Sequence, residues 1–493
     1  MKYIKISIVI LSVSFISIFA YKLTTNNSNN KISLTKEQMK EMLSYTIDGN
    51  STSSMPTKGS GYKVKSITCK SGSILSWDND NWLLEVEKLE SEDLCNIDFT
   101  TGTGSYTVTA VPSIAGSLDS TSKTTTENGQ VTFYTKLVID SVSGCTNEIS
   151  DGKVIVKNVT GNTTCNINVS YMKLYDKLLA DKSTRPGART DFSKVLTDNN
   201  TNTLFTSTED SKTVYYFAGN ATDNWVKFGK NASNQDLYWR IIRTNKDGGV
   251  RLLYHGTSTT ATDAYIGKSA FNETKNDPMY VGYMYGTSNA TAIDRSNTNN
   301  STIKDKIDTW YEQNMTSYTK YLSTTAVYCN DRSNPAGGYN TGNSKFYYGV
   351  YTRLITNKAP TYDCADTNDK FTVDTSTGNG KLTYPIALMT ADEVSFVGGF
   401  YGKSAETWYY NSAKGSSTGS TWWWLLSPIY WDGSRASVFG VLGSSYPGYL
   451  SNDSVYNAGG VRPSVSLKSC VKTSGGDGSA STPYTIEEST SGC

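Results

Sequence analysis

The chain has 493 residues, a formal net charge of +1 and only 18% charged residues. This length is enough for about three domains, and the near-neutral balance without a basic stripe argues against a nucleic-acid partner. Small polar residues and Tyr are abundant, with 41 Gly and 34 Tyr, which favours strands and polar loops over helices. We therefore predict a β-rich α+β protein.

The N-terminus has the pattern of an export signal. Two lysines precede an apolar run over residues 6–21, as in a signal peptide. Ala20 could precede the signal-peptide cleavage site, but bulky Ile18 stands where a small residue is preferred. Cleavage of the signal and its retention as an anchor both stay open. We assign residues 1–24 to a signal peptide or signal anchor, which predicts an extracellular protein, either tethered to the membrane or secreted.

Eight cysteines in an exported chain indicate disulfides. Free thiols or metal ligands are the alternative, and a single histidine with no CxxC pair argues against a zinc site. Many connectivities are compatible with the sequence, and the order of the cysteines favours four local bridges. The predicted pairs are Cys69 with Cys95, Cys145 with Cys165, Cys329 with Cys364, and Cys470 with Cys493.

Residues 25–58 are predicted to form a linker with a short helix. Thr35 is a suitable N-cap, and Gln38, three residues later, completes a capping box. Gly49 is predicted to end the helix. The segment is either a stalk element outside the membrane or a frayed linker helix, and both alternatives stay open.

An internal repeat follows, with matching segments at Cys95–Phe99 and Cys165–Val169, 70 residues apart. Each segment alternates apolar and polar residues, which is the period of a strand. Each copy also has an upstream cysteine. We predict two small immunoglobulin-like β-sandwich repeats over residues 59–102 and 103–172, serving to hold the next domain away from the cell wall.

Residues 173–203 are predicted to be a helical connector and linker, because apolar residues at helical spacing end at Pro186. Residues 204–493 then form the largest domain. Asn245–Gly249 is a strong hairpin signal, and residues 302–322 have the spacing of a helix that faces a core. Four strands are predicted in its first part: Val214–Phe217, Trp225–Phe228, Leu237–Ile242 and Val250–Tyr254.

Adjacent carboxylates occur once in a helical context in this domain. Thr390 is a good cap for a helix that begins at Ala391, and Asp392 and Glu393 favour the positive end of that helix. Neighbouring residues of a helix point to different sides. We therefore interpret the two acids as complements of the helix dipole and not as a catalytic pair.

Short motifs spread over residues 204–488 carry a resemblance to a known fold. The motifs are Phe228, Tyr238–Ile242, Cys329–Arg332, Asp369–Val373, Leu382–Pro385, Thr390–Glu393, Trp424–Pro428, Gly460–Pro463 and Gly478–Tyr484. They resemble a C-type-lectin-like or formylglycine-generating-enzyme-like domain, and more closely a family of surface proteins of low-GC gut bacteria. The resemblance implies that residues 204–493 form a C-type-lectin-like ligand-binding domain.

The same resemblance extends to lectin-like proteins that are diversified by retroelements. In those proteins the ligand contacts precede a motif like Gly460-Val461-Arg462, and mutated Asn codons never become Lys, Glu, Gln, Met or Trp. The first four types make up 64 of the 493 residues, yet none occurs between Lys414 and Lys468. Trp431 departs from this codon rule and would have to be an unmutated framework position. The alternative explanation for the missing residue types is that exposed lectin-like loops are generally poor in long charged side chains.

We place the ligand-binding surface within residues 429–457, because aromatic side chains give a large contact area at low rotamer cost. Strand periodicity around Ala436, Val438 and Gly440 predicts that these small residues face inward and their neighbours outward. The predicted ligand-binding residues are Tyr430, Trp431, Arg435, Ser437, Phe439, Tyr446, Tyr449, Asp453 and Tyr456. The predicted framework residues are Trp423, Trp424, Gly460, Arg462 and Pro463, with Arg462 buried and hydrogen-bonded.

Catalytic and cofactor motifs are not recognisable in the sequence. His255 is the single histidine, and its neighbours Tyr254 and Gly256 give no Ser or Cys partner, so a nucleophile triad is not expected. Calcium is compatible with the side-chain oxygens of a few loop residues, but turn chemistry explains them equally well, and no cofactor is predicted. The residues concerned are Asp432, Asn452, Asp453 and Asn457.

Together these patterns predict a surface-displayed, adhesin-like protein that is not an enzyme. Its C-terminal domain would bind an extracellular protein or glycan through residues 429–457. The first alternative is a hydrolase acting on glycans of the cell wall or host surface with an Asp/Glu pair. The second is a structural subunit of the cell wall.

Overall fold

The protein is described by a computed structural model, in which the chain forms two compact units, Met1–Tyr171 and Met172–Cys493. Both units are built mainly from β-strands, which confirms the predicted β-rich class. The described residues are 41–78, 82–90, 92–102, 104–196, 203–287, 294–334, 339, 344–404, 418–443, 446, 448–489 and 492–493, with the backbone of 5–11 and 18–24.

The N-terminal unit contains two structural repeats. Its strands are β1 (Lys5–Leu11), β2 (Ile18–Thr24), β3 (Leu43–Ile47), β4 (Asn50–Thr52), β5 (Tyr62–Cys69), β6 (Ile74–Asp78), β7 (Leu83–Lys88), β8 (Cys95–Thr101), β9 (Ser105–Pro112), β10 (Ser122–Thr126), β11 (Gly129–Tyr134), β12 (Val138–Ser143), β13 (Asn147–Ser150), β14 (Lys153–Val159) and β15 (Thr163–Ser170). The predicted signal segment contributes β1 and β2, which pair with each other, and β1 also pairs with β7.

The first repeat consists of a sheet in the order β4-β3-β8-β5 and a sheet in the order β2-β1-β7-β6. Trp82, Ile97 and Phe99 are in its core. Apart from β1 and β2 of the predicted signal segment, the repeat begins at β3. The predicted helix is therefore wrong over residues 43–47, where apolar and polar residues alternate as in a strand. The predicted capping box, Thr35 with Gln38, lies outside the described residues.

The second repeat consists of sheets in the orders β10-β9-β15-β12 and β11-β14-β13 around a core that includes Val108, Phe133 and Val156. Its first strand, β9, pairs in parallel with its last strand, β15. The first repeat has the same arrangement, because β3 pairs in parallel with β8. In both repeats the last strand also pairs antiparallel with the strand that leads to the first cysteine. The internal repeat of the sequence is therefore also a repeat of strand topology.

The four disulfides have the predicted connectivity. Two of them join the strands of the repeats, and two lie in the C-terminal unit. They link Cys69 to Cys95, Cys145 to Cys165, Cys329 to Cys364, and Cys470 to Cys493.

The C-terminal unit combines two larger sheets with short helices. Its strands are β16 (Ser183–Thr184), β17 (Thr203–Glu209), β18 (Lys212–Tyr216), β19 (Trp225–Lys230), β20 (Asp236–Thr244), β21 (Val250–Tyr254), β22 (Lys268–Ser269), β23 (Met284–Tyr285), β24 (Asn299–Asn300), β25 (Tyr328–Cys329), β26 (Phe346–Tyr347), β27 (Lys370–Phe371), β28 (Ile386–Leu388), β29 (Trp423–Trp431), β30 (Ala436–Val441), β31 (Leu450–Ser454), β32 (Gly459–Gly460), β33 (Pro463–Leu467), β34 (Thr473–Gly475) and β35 (Tyr484–Ile486).

The helices of this unit are short. They are α1 (Leu174–Asp181), α2 (Thr302–Asn314), α3 (Gly349–Tyr351) and α4 (Ala391–Val397), with 3-10 segments at Pro278–Val281, Thr316–Tyr321 and Thr367–Asp369 and a π turn at Thr352–Thr356. Where the chain is described, it contains no helix with the length and apolar character needed to cross a membrane.

The larger sheet has the order β16-β17-β18-β20-β19-β35-β34, and β21 joins β20 to β33, which also pairs with β28. The four predicted strands are confirmed as β18 to β21, and Asn245–Gly249 forms the predicted hairpin between β20 and β21. Gly248 has a φ of 81° there, a backbone conformation that suits glycine.

The smaller sheet has the order β22-β32-β29-β30-β31, and β26 pairs with β29. One continuous apolar core joins it to the larger sheet, with Trp239, Trp424 and Phe439 among its members. Because β29, β30 and β32 are almost wholly buried, the smaller sheet is a packed base for the loops at its edge.

Three further predictions concern helices α1, α2 and α4. Leu174 and Leu178 of α1 are in the core of the C-terminal unit, so the predicted connector is part of this unit and not a separate linker. Helix α2 covers the first part of the helix predicted over residues 302–322, and a 3-10 segment continues it. Helix α4 begins at Ala391 with a complete capping box between Thr390 and Glu393, as the cap at Thr390 predicts.

Candidate functional site

The segment predicted to bind a ligand, residues 429–457, contains the end of β29 and the whole of β30 and β31. Trp431 is 1% exposed, Ser437 is 3% exposed and Phe439 is fully buried. The prediction that these three side chains face outward is therefore wrong. Successive residues of a strand point to opposite faces, and every residue of β30 is buried, so both faces of this strand are covered.

The predicted framework residues have the burial expected of them. Trp423, Trp424 and Arg462 are fully buried, and Gly460 and Pro463 lie in the buried strands β32 and β33. Arg462 donates from Nε to the carbonyl oxygen of Tyr254 at 3.1 Å. It is hydrogen-bonded, as predicted.

His255 is held in a neutral form by its surroundings. A guanidinium nitrogen of Arg462 lies 3.2 Å from its Nδ1, and since arginine has no acceptor, Nδ1 must accept. The ring also contacts Trp225, with centroids 4.4 Å apart. Burial, with the charges of Arg462 and Arg240, holds the pKa of His255 well below its ordinary value of 6.5.

We expect the C-terminal unit to lose stability as the pH falls below 6.5. A histidine whose folded pKa is depressed takes up a proton only on unfolding, so its contribution is complete above the unfolded pKa and is lost below it. Between pH 7.5 and 5.5 the loss is about 1.4 kcal/mol, to be measured as the change in free energy of unfolding in urea. His255→Gln is expected to remove this dependence, because the chain has no other histidine. Retention of the full dependence in the variant would contradict the assignment.

A cluster of half-buried tyrosines lies at the edge of the smaller sheet. We call it the tyrosine surface, and its members are Tyr347, Tyr351, Tyr401, Tyr430 and Tyr449. Tyr347 of β26 lies directly opposite Tyr430 of β29 in the strand register, with ring centroids 6.1 Å apart. Tyr347 and Tyr351 are closer, at 3.9 Å. Two chain segments far apart in sequence therefore build one surface.

Asn452 of β31 fixes two of these tyrosines. The Tyr401 hydroxyl donates to Asn452 Oδ1 at 2.8 Å, and Asn452 Nδ2 donates to the Tyr430 hydroxyl at 3.0 Å. Burial and the neighbouring tyrosine hydroxyls raise the pKa of Tyr401, so its hydroxyl stays protonated. The Tyr430 hydroxyl accepts from the amide and therefore keeps its own proton to donate.

Three cations lie near Tyr430 of the tyrosine surface or near the exposed Tyr456, and we call them the cationic rim: Lys275, Lys345 and Arg435. Lys345 Nζ lies 4.8 Å from the ring centroid of Tyr347 and 4.9 Å from that of Tyr430. Lys275 Nζ lies 3.8 Å from the ring centroid of Tyr456. These distances are in the range of cation–π contacts.

Arg435 connects the two ends of the rim. Its Nε donates to Asp432 Oδ2 at 2.9 Å. The hydrogen bond and the charge of Asp432 raise the pKa of Arg435, and the nearby hydroxyls of Tyr430 and Tyr456 add to this effect. Tyr430 is therefore near both Lys345 and Arg435, and Tyr456 is near both Arg435 and Lys275.

The remaining predicted residues lie at or near this surface. Tyr446 is 56% exposed and Tyr456 is 45% exposed, and the rings of Tyr446 and Tyr449 are 5.9 Å apart. Asp453 is partly exposed and accepts a hydrogen bond from Asn457 Nδ2 at 2.7 Å.

Sequence reasoning missed the residues that lie outside 429–457. Tyrosines in the loop closed by the Cys329–Cys364 disulfide were an available signal, but the pairing of β26 with β29 is not readable from local patterns. The missed residues are Lys275, Lys345, Tyr347, Tyr351 and Tyr401.

The oxygens considered for calcium are engaged in hydrogen bonds. Asp432 Oδ1 accepts from the backbone amides of Ser434 and Arg435, while Asn452 and Asp453 make the bonds already described. These contacts favour the turn interpretation. In the described part of the chain, the group of metal-capable side chains is Cys69, Asp93 and Cys95, but both of these cysteines are in a disulfide.

A second polar site is a charged cleft centred on Glu393. Glu393 Oε1 accepts from Arg251 at 2.7 Å and from Arg243 at 3.1 Å. Burial favours the neutral acid, but Arg251 and Arg243 outweigh it and hold the pKa of Glu393 below its ordinary value. Asp392 instead binds Arg353 through both carboxylate oxygens. The two adjacent acids therefore point to different partners, as predicted.

The size of the charged cleft limits what it can bind. Its free space is about 20 Å³, which is enough for about one water molecule. Arg353 also binds Asp331 at 2.7 Å, so Asp331, Asp392 and Glu393 are all engaged in ion pairs. This arrangement is that of a structural polar network and offers no room for a sugar ring.

Comparisons of the chain with protein-family models, with curated proteins and with solved structures found no match.

Proposed function

We propose that this chain is a surface-displayed bacterial binding protein whose C-terminal unit recognises an extracellular ligand through the tyrosine surface. The observation that carries the proposal is a cluster of five partly exposed tyrosines at the edge of a largely buried sheet, with Tyr347 and Tyr430 in paired strands of that sheet. Tyrosine gives a large amphipathic contact area at low entropic cost, and side chains fixed before binding lose little freedom on binding.

Asn452 strengthens this argument. It orients the hydroxyls of Tyr401 and Tyr430. Tyrosines that only fill the edge of a core do not require oriented hydroxyls. A rigid scaffold with locked polar groups is the arrangement that precise recognition needs.

The proposal includes the organisation predicted from the sequence. Four disulfides indicate an oxidising, extracellular environment. We propose that the two repeats are immunoglobulin-like spacers, that the C-terminal unit is a C-type-lectin-like domain, and that the N-terminal segment directs export as a signal peptide or signal anchor. The shared topology of the two repeats supports a common role for them.

The test is an array of extracellular glycans and matrix proteins probed with the full chain. We expect at least one array element to bind, and the double variant Tyr347→Ala/Tyr430→Ala to weaken that binding by at least about 30-fold, as for removal of aromatic hot spots worth about 2 kcal/mol. The affinity is measured by calorimetry on the ligand that the array identifies.

Tyr134→Ala is the matched control, because Tyr134 is 54% exposed on the second repeat and lies outside the proposed surface. This control is expected to bind like the parent chain. Absence of any bound array element, or equal binding by the double variant and the control, would contradict the proposed function.

A further inference from the structure

The tyrosine surface presents exposed parts of aromatic rings together with phenolic hydroxyl groups. Tyr347, Tyr351 and Tyr430 are all partly exposed, and their planes are mutually inclined, at 33° for Tyr347 with Tyr351 and 76° for Tyr347 with Tyr430. Aromatic faces are electron-rich and attract the positive edges of C–H groups, whereas hydroxyl and amide groups exchange hydrogen bonds. Sugar rings offer C–H faces and hydroxyl edges in the same way.

The cationic rim favours a ligand that carries negative charge. In the described part of the chain, Lys275 and Lys345 contact aromatic rings and take part in no ion pair. A hydrogen bond to Tyr347 raises the pKa of Lys345, so this ammonium remains charged. Both ammonium groups therefore lie beside aromatic rings, and Lys345 is exposed while Lys275 is partly exposed.

One of the three cations of the rim is paired with an acid, since Asp432 binds Arg435. Among the described residues, Lys275 and Lys345 have no acidic side chain within ion-pair distance. Electrostatic complementarity at a binding surface favours a ligand of opposite charge beside these two lysines.

Resting on the proposed function, we propose that the ligand of the tyrosine surface is an acidic glycan. Its sugar rings lie against Tyr347, Tyr351 and Tyr430, and its carboxylate or sulfate groups lie against Lys345 and Lys275. A glycan fits better than an acidic peptide, since the surface offers inclined ring faces with polar edges. Nucleic acid fits poorly, because the net charge of the chain is only +1.

The experiment measures binding of the full chain to four polymers by affinity electrophoresis and calorimetry. Polygalacturonate carries carboxylates, dextran sulfate carries sulfates, dextran is neutral, and poly-glutamate is an acidic peptide. We expect binding to polygalacturonate, to dextran sulfate or to both, and at least tenfold weaker binding to dextran and poly-glutamate. The first two polymers distinguish the two sources of charge. Binding is also expected to weaken with added salt, because salt screens exposed charges.

The double variant Lys275→Gln/Lys345→Gln is expected to weaken binding of the acidic polysaccharide by at least tenfold. Lys212→Gln is the matched control, because Lys212 is exposed on β18 of the larger sheet. Equal binding to dextran, equal binding to poly-glutamate, or no effect of the double lysine variant would overturn the inference.

The two proposals fail in different ways. If the array identifies a neutral glycan or a protein whose binding depends on Tyr347 and Tyr430, the proposed function stands and the acidic-glycan inference is wrong. If neither the array nor the polymers bind, the proposed function itself is wrong.

Discussion

Replacement of Glu393 by alanine is expected to lower the free energy of unfolding of the C-terminal unit by about 3–5 kcal/mol. Glu393 is 2% exposed and accepts from two arginines that are equally buried, Arg243 and Arg251. It also completes the cap of α4 by accepting from the backbone amide of Thr390 at 3.0 Å. Its removal leaves buried guanidinium charge uncompensated, and urea unfolding followed by tryptophan fluorescence measures the loss.

An exposed ion pair in the same unit is the matched control. Asp236 binds Lys230 at 2.7 Å, with side chains 35% and 45% exposed. Asp236→Ala is expected to cost at most about 1 kcal/mol, because solvent screens such pairs. Similar losses for the two variants would contradict the structural role assigned to the charged cleft.

Replacement of Phe439 by alanine is expected to cost about 3–5 kcal/mol, because it empties a fully buried site in the middle of β30. Tyr456→Ala, at a 45% exposed position, is expected to change stability by no more than about 0.5 kcal/mol. Thermal and urea unfolding of the two variants are compared under identical conditions.

This pair of variants distinguishes two roles for the segment 429–457. If Phe439 were a ligand contact on an open face, its loss would leave stability unchanged. That outcome would contradict the buried position of β30.

Local patterns predicted much of the fold. The hairpin at Asn245–Gly249, the cap at Thr390 and the disulfide pairs depend on residues close in sequence. The failures involve contacts at long range. Alternation in β30 predicted one exposed face, but packing on both sides buries Ser437 and Phe439. Helical spacing before Pro186 predicted a helix correctly, yet only the tertiary packing of Leu174 shows that it belongs to the C-terminal core.

Part of the candidate site was also predictable, because some of its residues are close together in sequence. Tyr430, Arg435 and Tyr456 lie in one segment whose composition is unusual. Lys345 and Tyr347 join them only because β26 pairs with β29, and two-residue strands leave almost no pattern in a sequence.

Burial also offers a reason for the missing Lys, Glu, Gln and Met between Lys414 and Lys468. Strands β29, β30 and β33 are almost entirely buried, and long charged side chains are rarely found there. The hypothesis of retroelement diversification therefore concerns fewer positions, those with partly exposed side chains such as Tyr430, Asn452 and Tyr456.

The topology shared by the two repeats has a mechanical consequence. In each repeat the first strand runs parallel to the last, β3 with β8 and β9 with β15. A force that pulls the two ends of a repeat apart acts along these strands, so it loads their hydrogen bonds together in shear and does not unzip them one at a time. The disulfides between Cys69 and Cys95 and between Cys145 and Cys165 also keep the enclosed chain from extending. Such repeats suit a protein that carries tension between a cell and the surface it holds.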